Sequence, residues 1–402
     1  MLLLPLSGIV SLDIEKECPV MSEKINVCLL NDSFPPAIDG VANAVFNYAS
    51  IIQNKLGSVI VATPHYPDVV DDYPFPVVRY PSVNVPSLGD YRVGLPVHHL
   101  ISELTKHKID IIHCHCPYAS GFASKELHAA LNVPVVMTYH TKFDIDVANI
   151  FDSKLIQEVA AKLIVSNVKI CDEVWAVSAG AGENLKGLGY DGDYRIMSNG
   201  VDLPKGKAPQ SDIDELVTAH SLSADVPVFL FVGRMMWYKG LKIILDGLTS
   251  IKSAGMLFKM IFVGDGAEYH EITEYTQTIG LSEECVFAGA VRDRNKLRAY
   301  YSCADAFLFP STYDTSGIVV GEAAACGLMS ILIRGSSAAE CVTDGRNGIL
   351  IEENAQSLAS ALQNLIKNRD HMKELGQHAM DELYLSWEDA VKRAYNRYCE
   401  IL

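Results

Sequence analysis

The stretch "PSTYDTSGIVVGEAAACG", residues 310–327, sets Asp314 and Glu322 eight positions apart, around a glycine and a run of small residues. If a helix starts near Ser316 or Gly317, Glu322 lies one to two turns inside it and Asp314 in the loop before it. Both carboxylates would then border one pocket, with the helix N-terminus aimed into it. A loop acid can grip sugar hydroxyls, and a helical acid can grip a ribose. The same letters also describe a capped helix followed by an ordinary acid, because Asp and Ser are common ahead of a helix. Taken alone, the stretch is better explained as a cap.

Other segments carry complementary chemistry. "FVGRMMWYKG" puts Arg234 and Lys239 just after an expected strand, at a helix start. Two cations beside free helix N–H groups suit a diphosphate; the alternative is a solvated lysine and an ion-paired arginine. "FVGDGAE" (262–268) runs from a strand end through Gly264 and Gly266 into a helix, which permits close backbone approach or is simply an ordinary turn. In "NDSFPPAIDGVANAV", Asp39-Gly40 precedes a helix, and Gly40 leaves room for a phosphate or sugar at its N-terminus. "MTYHTKFD" places His140 at a strand's carboxyl end, where it can bond a sugar hydroxyl, relay a proton, or simply brace a loop.

Several patterns do not earn a site. "GLGYDG" (187–192) satisfies G-x-G-x-x-G but follows a helix, so it fails the context of a dinucleotide fingerprint. "FDID" (143–146) contains D-x-D with no further acid cluster. His113 and His115 in "IIHCHC" are expected on opposite faces of a strand, against a shared metal. Cys114 and Cys116 form only C-x-C, with no second pair to complete a zinc site.

These residues need a scaffold, and the hydrophobic pattern supplies one. Strand-like "KINVCLLN", "SVIVAT", "IDIIHC", "VPVVMTYH" and "EVWAVS" alternate with helical stretches in the first half. After a Gly, Pro and Lys break at 198–212 the alternation resumes with "VPVFLFVG", "FKMIFVGDG", "CVFAGAV", "AFLFPS" and "MSILIRG". That pattern predicts an α/β chain of two doubly wound, Rossmann-like domains facing a cleft, with ligands outside the carboxyl ends of the strands. The expected boundaries are an extension at 1–20, a first domain at 21–202, a second at 203–386 and a last helix at 387–402.

The chain has 402 residues and a net charge of −16, enough length for two cores and the wrong sign for a general nucleic-acid binder. Ten scattered cysteines fit buried thiols in a reducing cytoplasm. "MLLLPLSGIV" lacks a basic flank and is too short to span a bilayer. Basic residues in "HHLISELTKHK" and Lys154, Lys162 and Lys169 are the candidates for peripheral membrane contact, weighed against solvated helix faces.

In order, "PPAIDG", "TYHT", "VSAGAGENLKGLG", "NGVD", "GRMMWYKG", "VGDGAE", "AGAVRDRNKLRAYYSCADAFLFPS", "SGIVVGEAAACG" and "DGRNGILI" resemble the segments of the family 4 retaining glycosyltransferases of the GT-B fold. The resemblance runs from about residue 24 to the end. It implies that Arg234 and Lys239 neutralise the donor diphosphate. Glu322, the second acid of the E-x7-E motif, would bind the ribose. Asp314, at the first acid's place, would contact the transferred sugar, and Ile318 would offer backbone to the nucleotide. Gly40 and Gly264 would flank the donor. Val291, Asp293 and Lys296 fall in the base-binding segment, and His140 matches a histidine near sugar and acceptor. The resemblance further implies a nucleotide-sugar donor, UDP-linked for preference, no cofactor and no obligatory metal. "YHTKFD" and "YRVGLP" are similar to bacterial diacylglycerol glucosyltransferases, so a lipid leads over a glycan as acceptor. A hydrolase or epimerase of the same fold, or a non-catalytic nucleotide-sugar binder, is the alternative. Two departures stand out: Asp314 replaces the usual Glu, and "SSAAE" ending at Glu340 replaces "GG-x-P-E".

Overall fold

The computed structural model describes residues 24–37, 39–85, 92–95, 98–143, 147 and 153–402. The expected extension at 1–20 and the acids of "FDID" lie outside them. The first sheet contains β1 (Asn26–Leu30), β2 (Ser58–Pro64), β3 (Val77–Tyr80), β6 (Ile111–Cys114), β7 (Val135–Tyr139), β8 (Glu173–Ala176) and β9 (Arg195–Ile196), in the order β3-β2-β1-β6-β7-β8-β9. A short antiparallel pair, β4 (Ser82–Asn84) and β5 (Arg92–Gly94), stands apart from it. The second sheet is built from β10 (Val228–Val232), β11 (Lys259–Val263), β12 (Cys285–Gly289), β13 (Ala306–Phe309), β14 (Ser330–Ile333) and β15 (Ile349–Ile351), in the order β12-β11-β10-β13-β14-β15. Every pairing within these two sheets is parallel.

Parallel strands carry helices on both faces, so the central ones are apolar throughout. All five residues of β10, "VFLFV", and all five of β7, "VVMTY", are buried. The strand order reverses between β1 and β6 in the first sheet, and between β10 and β13 in the second. A crevice opens at such a reversal, outside the carboxyl ends of the strands.

The chain passes between the sheets twice, at adjacent places. Val201 donates its N–H to the carbonyl of Leu385 at 2.9 Å, and Val201 pairs with Ser386. The last helix, Trp387–Ile401, then lies on the first sheet. It buries Trp387, Ala390, Val391, Ala394 and Tyr398 among Val27, Leu29, Val61, Val136 and Trp175. Arg397 clamps Glu173 with contacts of 2.6–3.0 Å, and Tyr395 accepts from the Ile25 N–H at 3.0 Å.

Candidate active site

Two recesses meet at the carboxyl end of β10, with Val232 and Gly233 common to both. One, of about 150 Å³, is lined by Lys239, Phe309 and the run Asp314–Val319. The other, of about 220 Å³, is lined by Arg234, Val263, Gly264, Asp265, Ala290, Val291 and Leu297. The carboxyl ends of β10, β11, β12 and β13 thus bring together segments that the sequence spreads over some ninety positions.

In the first recess, Lys239 is buried, and its Nζ lies 2.6 Å from Asp314 Oδ1. Three rings surround the ammonium, Tyr238 at 5.5 Å, Tyr313 at 5.8 Å and Phe309 at 5.9 Å from its Nζ. The aromatic wall leaves the cation attracted but incompletely satisfied. Asp314 Oδ2 is buried and has no hydrogen-bond partner among the described residues. Arg234 is exposed and stands over the same Tyr238 ring at 6.0 Å.

The expected helix after Asp314 is there, over Ile318–Ala325, but Asp314 does not cap it. The residue ahead of it is Gly317, at φ +55°, a left-handed conformation that favours glycine. Among the described residues no side chain caps its first N–H groups. A helix leaves those groups without intrahelical partners, and here Gly317, Ile318 and Val319 line the recess. The positive end of the helix dipole is therefore left for a ligand. Asp314 thus bonds Lys239 and leaves the helix start to Gly317.

Glu322 faces a different environment. It is 5% exposed, with Oε1 accepting from Arg294 Nη2 at 2.5 Å and Oε2 from the Tyr301 hydroxyl at 2.8 Å. It belongs to neither recess wall. Arg294 extends further to Asp202 Oδ2 at 3.8 Å, and Asp202 accepts from Asn43 and Asn47 of the first domain's helix Gly40–Ile51. Neither Arg294 nor Tyr301 was singled out from sequence. Their spacing from Glu322 has no local signature.

The second recess takes its shape from backbone. Gly264 has φ +145°, and a Cβ there would fall 1.8 Å from the Gly233 carbonyl oxygen. Only glycine lets these two turns touch. Of the residues expected at the base, Val291 lines this recess. Asp293 instead caps the helix Arg294–Cys303, its Oδ1 accepting from the Asn295 and Lys296 N–H groups. Lys296 is exposed, and its charge bears on His220. Neither Asp293 nor Lys296 is part of the recess wall.

Across the seam, Gly40 opens its helix as expected, and a Cβ on it would meet open space. The helix N-terminus beside it is not free, however. Asp39 Oδ1 accepts from Val41 and Ala42 N–H at 2.7 Å each. A carboxylate, not an incoming anion, occupies these donors.

His140 follows β7, and its carbonyl accepts from Thr315 Oγ1 at 3.0 Å, tying it to the loop of Asp314. It is 5% exposed, and burial pushes its pKa down to about 3. Its Nε2 lies 2.9 Å from His115 Nδ1. His113 bonds the Tyr398 hydroxyl at 2.6 Å and Thr138 Oγ1 at 2.7 Å. The expectation that His113 and His115 face opposite ways is corrected: their ring centroids are 3.9 Å apart. Residues two apart share a strand face. The two domains also touch at Glu340, whose carboxylate accepts from the Ala179 and Gly180 N–H groups at 2.7 and 2.5 Å.

Residues 38–205 match the family model described as Glycosyltransferase Family 4, and residues 212–381 match that described as Glycosyl transferases group 1. The chain belongs to the family 4 glycosyltransferases. Its relatives include an alpha-monoglucosyldiacylglycerol synthase of Streptococcus pneumoniae, 23% identical, with 94% of this chain and 86% of that protein aligned. A GDP-mannose-dependent alpha-mannosyltransferase of Corynebacterium glutamicum is also 23% identical, over 94% and 89% of the two chains. The glycosyltransferase has the GT-B fold. A sucrose-phosphate synthase of Thermosynechococcus elongatus superposes with a TM-score of 0.75 at 22% identity, covering 94% of this chain and 99% of that one. The Anabaena protein HepE in complex with UDP gives 0.73 at 20% identity, over 92% and 98%.

Proposed function

We propose that this glycosyltransferase moves a hexose from a UDP-sugar to the hydroxyl of a diacylglycerol-type lipid, with retention of anomeric configuration. The observation that carries the donor half is the first recess. There a buried ammonium, an unpartnered carboxylate oxygen and an uncapped helix N-terminus converge. The ammonium and the helix suit the diphosphate, and Asp314 Oδ2 is free to accept from a sugar hydroxyl. The base would lie in the second recess against Val291 and Leu297. Glu322 would meet the ribose beside its two present partners.

The reaction breaks the bond from the anomeric carbon to the donor phosphate and forms one from that carbon to the acceptor oxygen. Negative charge grows on the departing diphosphate. Lys239, Arg234 and the N–H groups of Ile318 and Val319 are aimed at it, which lowers the barrier without reorganisation. The acceptor hydroxyl approaches on the leaving-group side, and its proton passes to an oxygen of the departing phosphate. No separate side-chain base is required. The counter-charge is the protein's own, so the assay should run in the presence of EDTA.

The lipid half rests on the glucosyldiacylglycerol synthase relatives and on surface chemistry. Among the described residues no helix is long and apolar enough to cross a membrane. The helix Lys154–Val168 nevertheless exposes Leu155, Ile156 and Val159, with Lys154 and Lys162 on the same turns. Such a face fits contact with a bilayer surface in the cytoplasm. The mannosyltransferase relatives favour a second donor, GDP-mannose. The test is incubation of UDP-glucose, UDP-galactose and GDP-mannose with vesicles containing diacylglycerol, with product mass and anomeric proton coupling as readouts. Nucleotide release that depends on diacylglycerol, with an α-linked product from an α-donor, supports the proposal. Release without acceptor, or a β-linked product, overturns it.

A further inference from the structure

His115 and His140 form a buried imidazole pair whose outer nitrogens, His115 Nε2 and His140 Nδ1, have no hydrogen-bond partner among the described residues. A neutral imidazole carries one N–H and one bare nitrogen. Burial drives the pKa of both rings well down, so both are neutral near pH 7. The 2.9 Å contact then holds one proton and allows two arrangements. In one, His115 Nδ1–H donates, His115 Nε2 is bare and His140 Nδ1 carries a proton. In the other, His140 Nε2–H donates, His140 Nδ1 is bare and the spare proton sits on His115 Nε2.

The surroundings separate them. An orphaned buried N–H is rarer and costlier than an orphaned acceptor. His115 is fully buried, between the His113 ring at 3.9 Å and the Tyr48 ring at 5.2 Å. The best acceptor these offer for Nε2–H is an aromatic face, which is weak. His140 sits at the domain seam, tied through its carbonyl to Thr315, a residue of the recess wall. Both outer nitrogens are buried, and of the two it is His140 Nδ1 that belongs to a residue bonded to the recess wall, where a substrate oxygen could reach the spare proton on binding.

We propose that His115 is a positioning residue that fixes His140 in its Nδ1–H tautomer, so that His140 presents a hydrogen-bond donor, not an acceptor, to the bound substrates. This rests on the reading of His140 as a contact of the transferred sugar or acceptor. A donor there suits a sugar hydroxyl or the ring oxygen, and it makes His140 unable to serve as a base. Proton removal from the acceptor is left to the departing phosphate.

The experiment is 15N–1H correlation spectroscopy of the ligand-free full chain, with labelled histidine and His140 assigned by His140→Gln. The expected spectrum shows His140 protonated on Nδ1. His115→Asn keeps an N–H donor at the Nδ1 position and should preserve that signature. His115→Phe removes it and should release His140 to the other tautomer or to a mixture. In the transfer assay, His115→Phe should lower kcat on the order of tenfold with little change in donor KM, the scale at which partners that orient a histidine act. His115→Asn should restore most of that loss. A wild-type His140 protonated on Nε2 overturns the proposal, as does an Nδ1–H signature that survives His115→Phe. If His115→Phe does not fold, the wild-type spectrum alone decides. Unchanged turnover in His140→Gln, with the Nδ1–H signature present in wild type, would count against the sugar-contact reading and not against the tautomer.

Discussion

Lys239 Nζ and Asp314 Oδ1 sit 2.6 Å apart across the recess, joining two loops that are 75 residues apart in the chain. The lysine side chain is 8% exposed and the carboxylate 23%, so neither has bulk water as a partner of equal quality. Removing one member strands the other. Lys239→Met and Asp314→Asn should each cost about 3 kcal/mol or somewhat less, given the partial exposure of Asp314. The double variant should regain most of that, because both charges are gone. Donor binding should not return in the double variant, since the diphosphate has lost its buried cation. Urea unfolding and calorimetry with UDP check the two halves. A double variant no more stable than the singles would show that the pair is not coupled.

Gly264 sets a steric condition on the nucleotide end. A methyl group there meets the Gly233 carbonyl at 1.8 Å, and φ +145° is unfavourable for alanine. Gly264→Ala must move the turn after β11 away from the turn after β10, which together form the wall of the second recess. We expect a loss of about 2–4 kcal/mol in stability, as for other strained or overpacked positions. UDP affinity should fall at least tenfold, measured by calorimetry below the melting transition. Wild-type affinity in Gly264→Ala would place the base elsewhere.

Much of the fold could be read from apolar periodicity, because central parallel strands are apolar along their whole length and their residues are local in sequence. The strands β1, β2, β6, β7 and β8 of the first sheet and β10 to β14 of the second fall on the runs that announced them. The edge strands β3, β9 and β15 did not stand out. β9 has only two residues, both exposed, and β3 is largely half-buried. The pair β4–β5 was likewise missed, being short and peripheral. At the site, the residues of the βα turns gather at two recesses because strand ends fix where a turn must lie. Partners supplied by distant helices were not legible. Nothing near Glu322 in sequence announces Arg294 and Tyr301, and nothing in "IDG" says that Asp39 will occupy the helix donors beside Gly40. His115 had a signal, the two-residue spacing from His113, that was read with the wrong face.

Glu340 bridges the domains by a mechanism that "SSAAE" does not advertise. Its carboxylate takes the first two N–H groups of the helix Ala179–Gly187, at the other side of the seam. An anion at a helix N-terminus stabilises it by electrostatics and by hydrogen bonding. Glu340→Ala should lower stability by only about 1 kcal/mol, because the carboxylate is exposed to solvent. Its larger effect should be on domain closure: a greater radius of gyration by small-angle scattering without donor, and a raised donor KM. Glu340→Gln should fall between wild type and alanine, keeping an acceptor oxygen but not the charge. Scattering identical to wild type in Glu340→Ala would mean that the clasp does not hold the seam.

The three buried histidines make stability depend on acid. His113, His115 and His140 all have pKa values lowered by burial, with neighbouring imidazoles adding to the effect at His113 and His115. In the unfolded chain each titrates near 6.5. Below that pH the unfolded state binds protons that the folded state refuses, so stability is fully present above 6.5 and falls as pH drops toward the folded value, about 3 for His140. Each histidine steepens the fall by about 1.4 kcal/mol per pH unit once its unfolded form is protonated. Asp32 acts in the opposite sense. Burial raises its pKa despite hydrogen bonds from Ser120 and Tyr80, so its contribution to stability grows as pH falls. His220, likewise lowered by burial, and Glu388, lowered by hydrogen bonds from Lys392 and Lys55, act in the same sense as the three histidines, so the net slope should be downward toward acid. Urea midpoints at pH 7.5 and 5.0 measure it. His113→Gln should be less stable than wild type at pH 7.5, having lost contacts to Tyr398 or Thr138, yet should lose roughly 2 kcal/mol less than wild type on going to pH 5.0. Equal losses in the two proteins would mean that His113 takes up its proton in the folded state.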